Sequence, residues 1–253
     1  MVVYNTILIT GASSGIGRAL ALQYAQANIH LLLTGRNKKR LEQVVTLCTL
    51  KGARVESKIV DIRHRDDVKN WLTKCYKKSP IDLIFANAGV SGGTADGKES
   101  EEQIYNIFDT NIYGVLHTIE PLIPLMIKRK KGYIALISSM ASLQPMPSSP
   151  AYSATKVCVR YYGHSLRNYL KQFGISVSVI CPGFIKTPLT DMNNFKMPFL
   201  MSAEKAANII QKGINKKKGT IAFPMVLFLL LRGLNLLPGF LRDFILRKIP
   251  GKR

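Results

Sequence analysis

Short runs rich in leucine, isoleucine and valine alternate with longer amphipathic stretches through most of this chain, and that alternation limits the folds open to it. The runs are Val3–Thr10, Ile29–Thr34, Arg54–Val60, Leu83–Ala86, Gly132–Ser138, Ser176–Ile180 and Thr220–Phe223. Between them lie the helix-length stretches Gly15–Asn28, Lys38–Lys51, Arg65–Lys78, Ile112–Arg129, Ser153–Phe173 and Ala203–Lys212. Most runs are continuously apolar, the pattern of strands covered by helices on both faces. Repeated β-α units of this kind imply an α/β fold: a doubly wound, parallel, seven-stranded sheet with right-handed crossovers. The 253 residues suit one such domain, 1–253, and nothing marks a second. A ligand belongs beyond the carboxyl ends of the strands, where the strand order reverses.

Several function classes fall away on composition. The N-terminus lacks a basic region and a small-residue cleavage site, so no secretory signal is expected. Cys48, Cys75, Cys158 and Cys181 are far apart and form no Cys-x-x-Cys pair. They read as reduced thiols of a cytoplasmic protein, with no metal site. His30, His64, His117 and His164 are equally isolated and read as core or surface residues. The net charge of +21 predicts attraction to polyanions. No zinc-finger spacing, RNP-like motif or basic zipper accompanies it, so no specific nucleic-acid partner is expected.

Directly after the first run stand Thr10, Gly11, Ala12, Ser13, Ser14, Gly15, Ile16 and Gly17, opening a helix. Small residues let a backbone approach a pyrophosphate, and a helix N-terminus favours its charge. A glycine-rich tight turn also serves structure alone, but its place between strand and helix favours the dinucleotide reading. The second run ends at Gly35 and Arg36, with no acid to bind ribose hydroxyls as NAD sites have. Arg36 suits a 2′-phosphate, which points to NADP (NADPH) before NAD; the competing reading is a solvated arginine opening a basic helix.

The fifth run ends in Ser138 and Ser139, and thirteen residues after Ser139 comes Tyr152, with Lys156 four residues further. On a helix Tyr152 and Lys156 share one face, where an ammonium favours the phenolate. A chance surface pair has the same spacing. It does not account for the serine, the glycine turn and their order along the fold.

With these motifs the sequence closely resembles the short-chain dehydrogenase/reductase family, from about Val3 to Thr187. The resemblance rests on the glycine turn, Asp61, Asn87 with Gly89, Asn111, Ser139, Tyr152 with Lys156, and Pro182, Gly183, Ile185 and Thr187. It implies that Tyr152 passes a proton to a carbonyl oxygen as hydride arrives, or removes it in reverse. It further implies that Ser139 holds that oxygen, that Lys156 lowers the phenol's pKa and binds the nicotinamide ribose, and that Asn111 positions a relay water. Asp61 and Ile62 would border the adenine, Asn87 and Gly89 the ribose side, and Ile185 and Thr187 the carboxamide. Two departures stand out: Ser14 replaces a basic residue common in NADP-preferring members, and Ala86 replaces the more frequent Asn before Asn87. Family members are commonly dimers or tetramers, so a homo-oligomer is expected.

Residues 188–215 read as a lid and helix region; Met192, Phe195, Met197, Phe199 and Met201 give the lid an apolar character that suits a lipophilic carbonyl substrate. The same residues would also serve to pack the loop down. Residues 224–253 form an apolar, basic C-terminal extension. Its apolar stretch before Arg232 falls short of the roughly 20 residues that span a bilayer. Its mix with Arg232, Arg242, Arg247 and Lys248 suits helices lying on an anionic membrane, or a segment covering the pocket, or a subunit interface. The expectation is a cytoplasmic NADP-dependent oxidoreductase; the alternative is a membrane-associated NADP-binding scaffold or sensor with little turnover.

Overall fold

The computed structural model describes residues 4–92, 99–191, 193, 195 and 197–248. Seven parallel strands form one sheet: β1 (Thr6–Ile9), β2 (His30–Gly35), β3 (Arg54–Ile59), β4 (Leu83–Ala86), β5 (Gly132–Ile137), β6 (Ile175–Pro182) and β7 (Thr220–Phe223). The order is β3-β2-β1-β4-β5-β6-β7, so the chain reverses direction across the sheet between β1 and β4. Ile9 stands beside Leu33 on one side and Phe85 on the other.

The inner strands serve two cores. Ile7, Ile9, Leu31, Leu33 and Phe85 face one side, packed by α1 (Gly15–Tyr24), α2 (Lys38–Leu50) and α8 (Ala203–Asn215). Leu8, Leu32, Ile84 and Ile134 face the other, packed by α3 (Arg65–Lys78), α5 (Gly114–Ile119), α6 (Ile123–Arg129) and α7 (Pro150–Leu170). At about 1.5–3 kcal/mol for each large apolar side chain removed from water, this two-sided burial explains why the strands read as continuous apolar runs.

The helices differ from the sequence pattern in places. The expected helix Ile112–Arg129 is instead a π-helical turn (Asp109–Tyr113), α5 and α6. Pro121 and Pro124 explain the break, since neither has an N–H to continue the ladder; Pro124 sits in the first turn of α6. An additional helix, α4 (Glu101–Phe108), precedes the π turn; Ser100 caps it by accepting from the Gln103 N–H at 3.2 Å. α1 stops at Tyr24, and Asn28 takes left-handed backbone (φ 68°) in the turn before β2. Val3, the expected first residue of β1, lies outside the described residues, as do Met192 of the lid region and residues 249–253 of the extension.

After β7 the chain forms two short helices, α9 (Met225–Leu234) and α10 (Gly239–Arg247). They lie at the carboxyl end of the sheet. Among the described residues, no helix is long and apolar enough to cross a membrane.

Candidate active site

The site begins where β1 and β4 end side by side. The Thr10 hydroxyl accepts from the N–H groups of Asn87 (3.0 Å) and Ala88 (3.1 Å) and donates to the Phe85 carbonyl (3.4 Å). The Asn87 side-chain amide donates back to the carbonyls of Thr10 (2.8 Å) and Gly11 (3.4 Å). These bonds fix the two strand ends and the turn between them. Gly11 has φ +66°, and a Cβ there would stand 2.8 Å from Ala88 Cα. A Cβ on Gly17 would stand 2.3 Å from the Gly11 carbonyl oxygen. Only glycine fits either place. Ser14 precedes α1 without capping it through its side chain, so the N–H groups of the first turn lack a side-chain acceptor. A tight glycine cradle and uncapped N–H groups match the chemistry of a phosphate.

That turn borders a cleft of about 530 Å³. Gly11, Ser13, Ser14, Gly15 and Ile16 form one wall, and Arg36, Asp61 and Ile62 reach it from the ends of β2 and β3. Asn87 and Gly89 line it after β4, and Ser139, Tyr152 and Lys156 after β5. Pro182, Gly183, Ile185 and Thr187 line it after β6. Gly17 and Asn111 do not line it; they stand behind it.

At the β2 end, the Arg36 side chain is 55% exposed, with Nη1 3.7 Å from Asp61 Oδ2. Arg63 holds Asp61 more closely, with Nη2 2.8 Å from Oδ2 and Nε within 3.1 Å of both oxygens. Burial would raise the Asp61 carboxyl, but hydrogen bonds from Arg63 and the charges of Arg63 and Arg36 hold it below its ordinary range. Arg40, in the first turn of α2, lines the same wall. The Asn37 side chain accepts from its N–H (2.9 Å) and caps α2. Arg40 falls outside the sequence motifs, as one of three cations, Lys38, Lys39 and Arg40, that open α2.

At the β5 end, strand and helix α7 are tied together. Ser138 Oγ donates to the Lys156 carbonyl (2.8 Å), and Lys156 Nζ donates to the Ile137 carbonyl (3.1 Å). Ser139 Oγ accepts from the Ala141 N–H (3.1 Å), opening a single 3₁₀ turn. Tyr152 stands in the first turn of α7, and Lys156 Nζ lies 5.6 Å from its ring centroid. Burial pushes Lys156 down to about 8. The sequence led us to expect a phenol drawn down by that ammonium. Instead burial pushes the Tyr152 phenol up, and the Ser139 side chain works against the rise. Near neutral pH, Tyr152 is therefore a protonated acid.

Asn111, fully buried in the π turn, exchanges hydrogen bonds with Val90: Oδ1 accepts from the Val90 N–H, and Nδ2 donates to the Val90 carbonyl, both at 2.9 Å. Nδ2 also donates to Thr155 Oγ1 (3.1 Å). It thereby fastens the segment after Gly89 to α7. A Cβ on Gly89 would meet Asn111 Oδ1 at 3.0 Å and Lys156 Nζ at 3.5 Å, so this corner has no spare room. Thr110, Leu189 and Thr190, which belong to none of the sequence motifs, also stand on the cleft wall. Thr190 fixes the loop after β6, donating to the Ile185 carbonyl (2.6 Å) and accepting from the Thr187 N–H (3.0 Å). Nothing in their spacing distinguished them from other loop residues.

The sequence profile of short chain dehydrogenases matches residues 5–197. The chain belongs to the short-chain dehydrogenase family. An uncharacterized oxidoreductase of Myxococcus xanthus is 35% identical over 247 residues, covering 97% of this chain and 98% of that relative. Among solved structures, a short-chain dehydrogenase from Sphingobium yanoikuyae in complex with NADPH is similar, with a TM-score of 0.81 at 24% identity. The match covers 98% of this chain and 97% of that one. A short-chain dehydrogenase/reductase from Burkholderia phymatum in complex with NAD has a TM-score of 0.83 at 23% identity, with the same coverage. Both structural likenesses bear on the fold of this short-chain dehydrogenase, whose cleft lies at the reversal point of the sheet.

Proposed function

We propose that this chain is an NADP(H)-dependent oxidoreductase that reduces the carbonyl of a lipophilic substrate, or oxidises the corresponding alcohol, with Tyr152 as general acid and base. The observation that carries the reading is the meeting of Ser139, Tyr152 and Lys156 on the cleft that the glycine turn and two arginines also line. A bound nicotinamide supplies the hydride. The protein supplies the proton and its control. The Ser139 hydroxyl orients the substrate oxygen, and the Tyr152 phenol, kept protonated by burial, donates to that oxygen as its charge grows. Lys156, still largely charged near neutral pH, stabilises the phenolate left behind. Asn111 acts through Val90 and α7 as a positioning residue.

The preference for NADP rests on Arg36 and Arg40, which offer two guanidinium groups where a 2′-phosphate would need them. Asp61, which would repel that phosphate, is already paired with Arg63. NAD is the weaker ligand on this reading. A lipophilic substrate is supported by Leu189 on the cleft wall and by the edge-to-face pair of Phe184 and Phe195, 5.8 Å apart. Exposed Tyr105, Tyr113, Tyr161 and Tyr169 on α4, the π turn and α7 suit a homodimer or tetramer, and four free thiols suit a cytoplasmic setting.

The test is NADPH oxidation against a panel of ketones and aldehydes, with wild type beside Tyr152→Phe. The variant is expected to lose on the order of 10²–10⁴-fold in kcat and to melt with the wild type. Full activity in Tyr152→Phe overturns the assignment.

A further inference from the structure

Each of the two C-terminal helices presents one apolar face to the outside. In α9 the exposed positions are Met225, Val226, Leu229 and Leu230; in α10 they are Phe240, Leu241, Phe244 and Ile245. Both sets follow the same i, i+1, i+4, i+5 spacing, which places each on one helical face. Leu236, 87% exposed, continues the surface through the connecting turn. An ordinary surface helix turns this face inward. Here only Leu246 of the two helices is buried.

Charge says what covers this face. Between Met225 and Lys248 stand Arg232, Arg242, Arg247 and Lys248, against Asp243 as the one carboxylate. Two of the cations lie over aromatic rings of the same helices: Lys248 Nζ is 4.2 Å from the Phe244 centroid, and the Arg232 guanidinium is 5.8 Å from that of Phe228. Apolar side chains edged by cations are complementary to an anionic headgroup layer above acyl chains. A second copy of the chain is a poorer occupant, because self-packing would bring eight cations together with two carboxylates. The exposed tyrosines of α4 and α7 offer copies a separate face without that penalty. Each helix is also far too short to cross a bilayer; ten residues of α9 reach about 15 Å of the roughly 30 Å needed.

The position of the helices adds to the argument. A Cβ on Gly183, a cleft residue, would meet Pro224 at 3.0 Å and Leu227 of α9 at 3.4 Å. The buried Gln144, in the loop between Ser139 and Tyr152, donates to the Leu231 carbonyl (2.6 Å) and to Asn235 Oδ1 (2.9 Å). We propose that α9 and α10 form an interfacial anchor that seats the carboxyl end of the sheet, beside the cleft, on an anionic phospholipid surface. The anchor stands whatever carbonyl the enzyme reduces.

The experiment is co-sedimentation of the full-length protein with vesicles of phosphatidylcholine alone or mixed with phosphatidylglycerol. Wild type is expected to sediment with the mixed vesicles and to bind phosphatidylcholine far more weakly. Replacing Arg232, Arg247 and Lys248 by Ala is expected to weaken binding on the order of 100-fold, from about 1 kcal/mol per cation at the surface. Leu229→Asp with Phe240→Asp is expected to abolish it, with melting temperature and NADPH affinity unchanged because both side chains are exposed. Equal sedimentation of wild type and the double variant, or none by wild type, overturns the proposal. So does a shift to a smaller oligomer in the double variant without vesicle binding by wild type, which would assign the face to a second copy.

Discussion

Around Gly17 there is no room for one added carbon, whereas a Cβ on Gly233 or Gly239 would meet nothing within 4 Å. The first glycine stands behind the cleft and the other two belong to the C-terminal helices, and the contrast extends to their surroundings. Beside the cleft, Ile9 and Phe85 are wholly buried, and the strand ends are tied by the Thr10–Asn87 exchange. In α9 and α10 one apolar face of each helix points outward, and the attachment to the domain runs through Leu227, Leu246, Gln144 and Asn235. A cleft held from every side suits a ligand of fixed shape. A face held from behind alone suits a partner with no fixed shape, as a lipid surface is.

Substitutions can break this contrast. The largest effect is expected from the cations. Arg36→Ala with Arg40→Ala removes two charge-assisted contacts, at about 1.5–3 kcal/mol each, and should raise the KM for NADPH by about a hundredfold or more with little change for NADH. Arg232→Ala with Arg247→Ala should leave both constants unaltered. Equal effects of the two pairs would show that net charge, not site geometry, recruits the cofactor.

Next in size is pH. Burial lowers Lys156 to about 8, and in the proposed mechanism its charged form stabilises the Tyr152 phenolate. Accordingly, kcat/KM for reduction should be level below that value and fall about tenfold per pH unit above it. Lys156→Arg, with a side chain that stays charged, should be slower but should lose that limb. A limb that persists in the variant belongs to another group.

The smallest effects come from single carbons. Gly17→Ala should cost about 1–3 kcal/mol by crowding the Gly11 carbonyl, whereas Gly233→Ala should add about 0.5 kcal/mol by stiffening α9. Thermal unfolding of the two variants reads both signs. A stable Gly17→Ala would mean that the turn yields more readily than its contacts suggest.

The inner strands were legible because they are buried on both faces, and Leu83–Ala86 matches to the residue, as does the edge strand Thr220–Phe223. The helices were less so. Apolar periodicity ran straight through Pro121 and Pro124, and α4 carried too few buried residues to register although Ser100 and Gln103 spelled its cap. Within the site, sequence spacing collected residues without separating those on the cleft wall from those behind it, as Asn111 and Gly17 show. Arg40 was hidden in a basic helix start, where a functional cation looks like any solvated one.

The Gln144 bonds also bear on the order in which the enzyme is completed. The loop between Ser139 and Tyr152 leans on Leu231 and Asn235, which are synthesised after all of β1 to β6. Domains assemble from the N-terminus as they emerge, so β1 to β6 can settle while this brace is still missing. A chain stalled before α9 would hold its glycine cradle complete and the loop between Ser139 and Tyr152 unbraced: synthesis itself would delay completion of the cleft until α9 arrives.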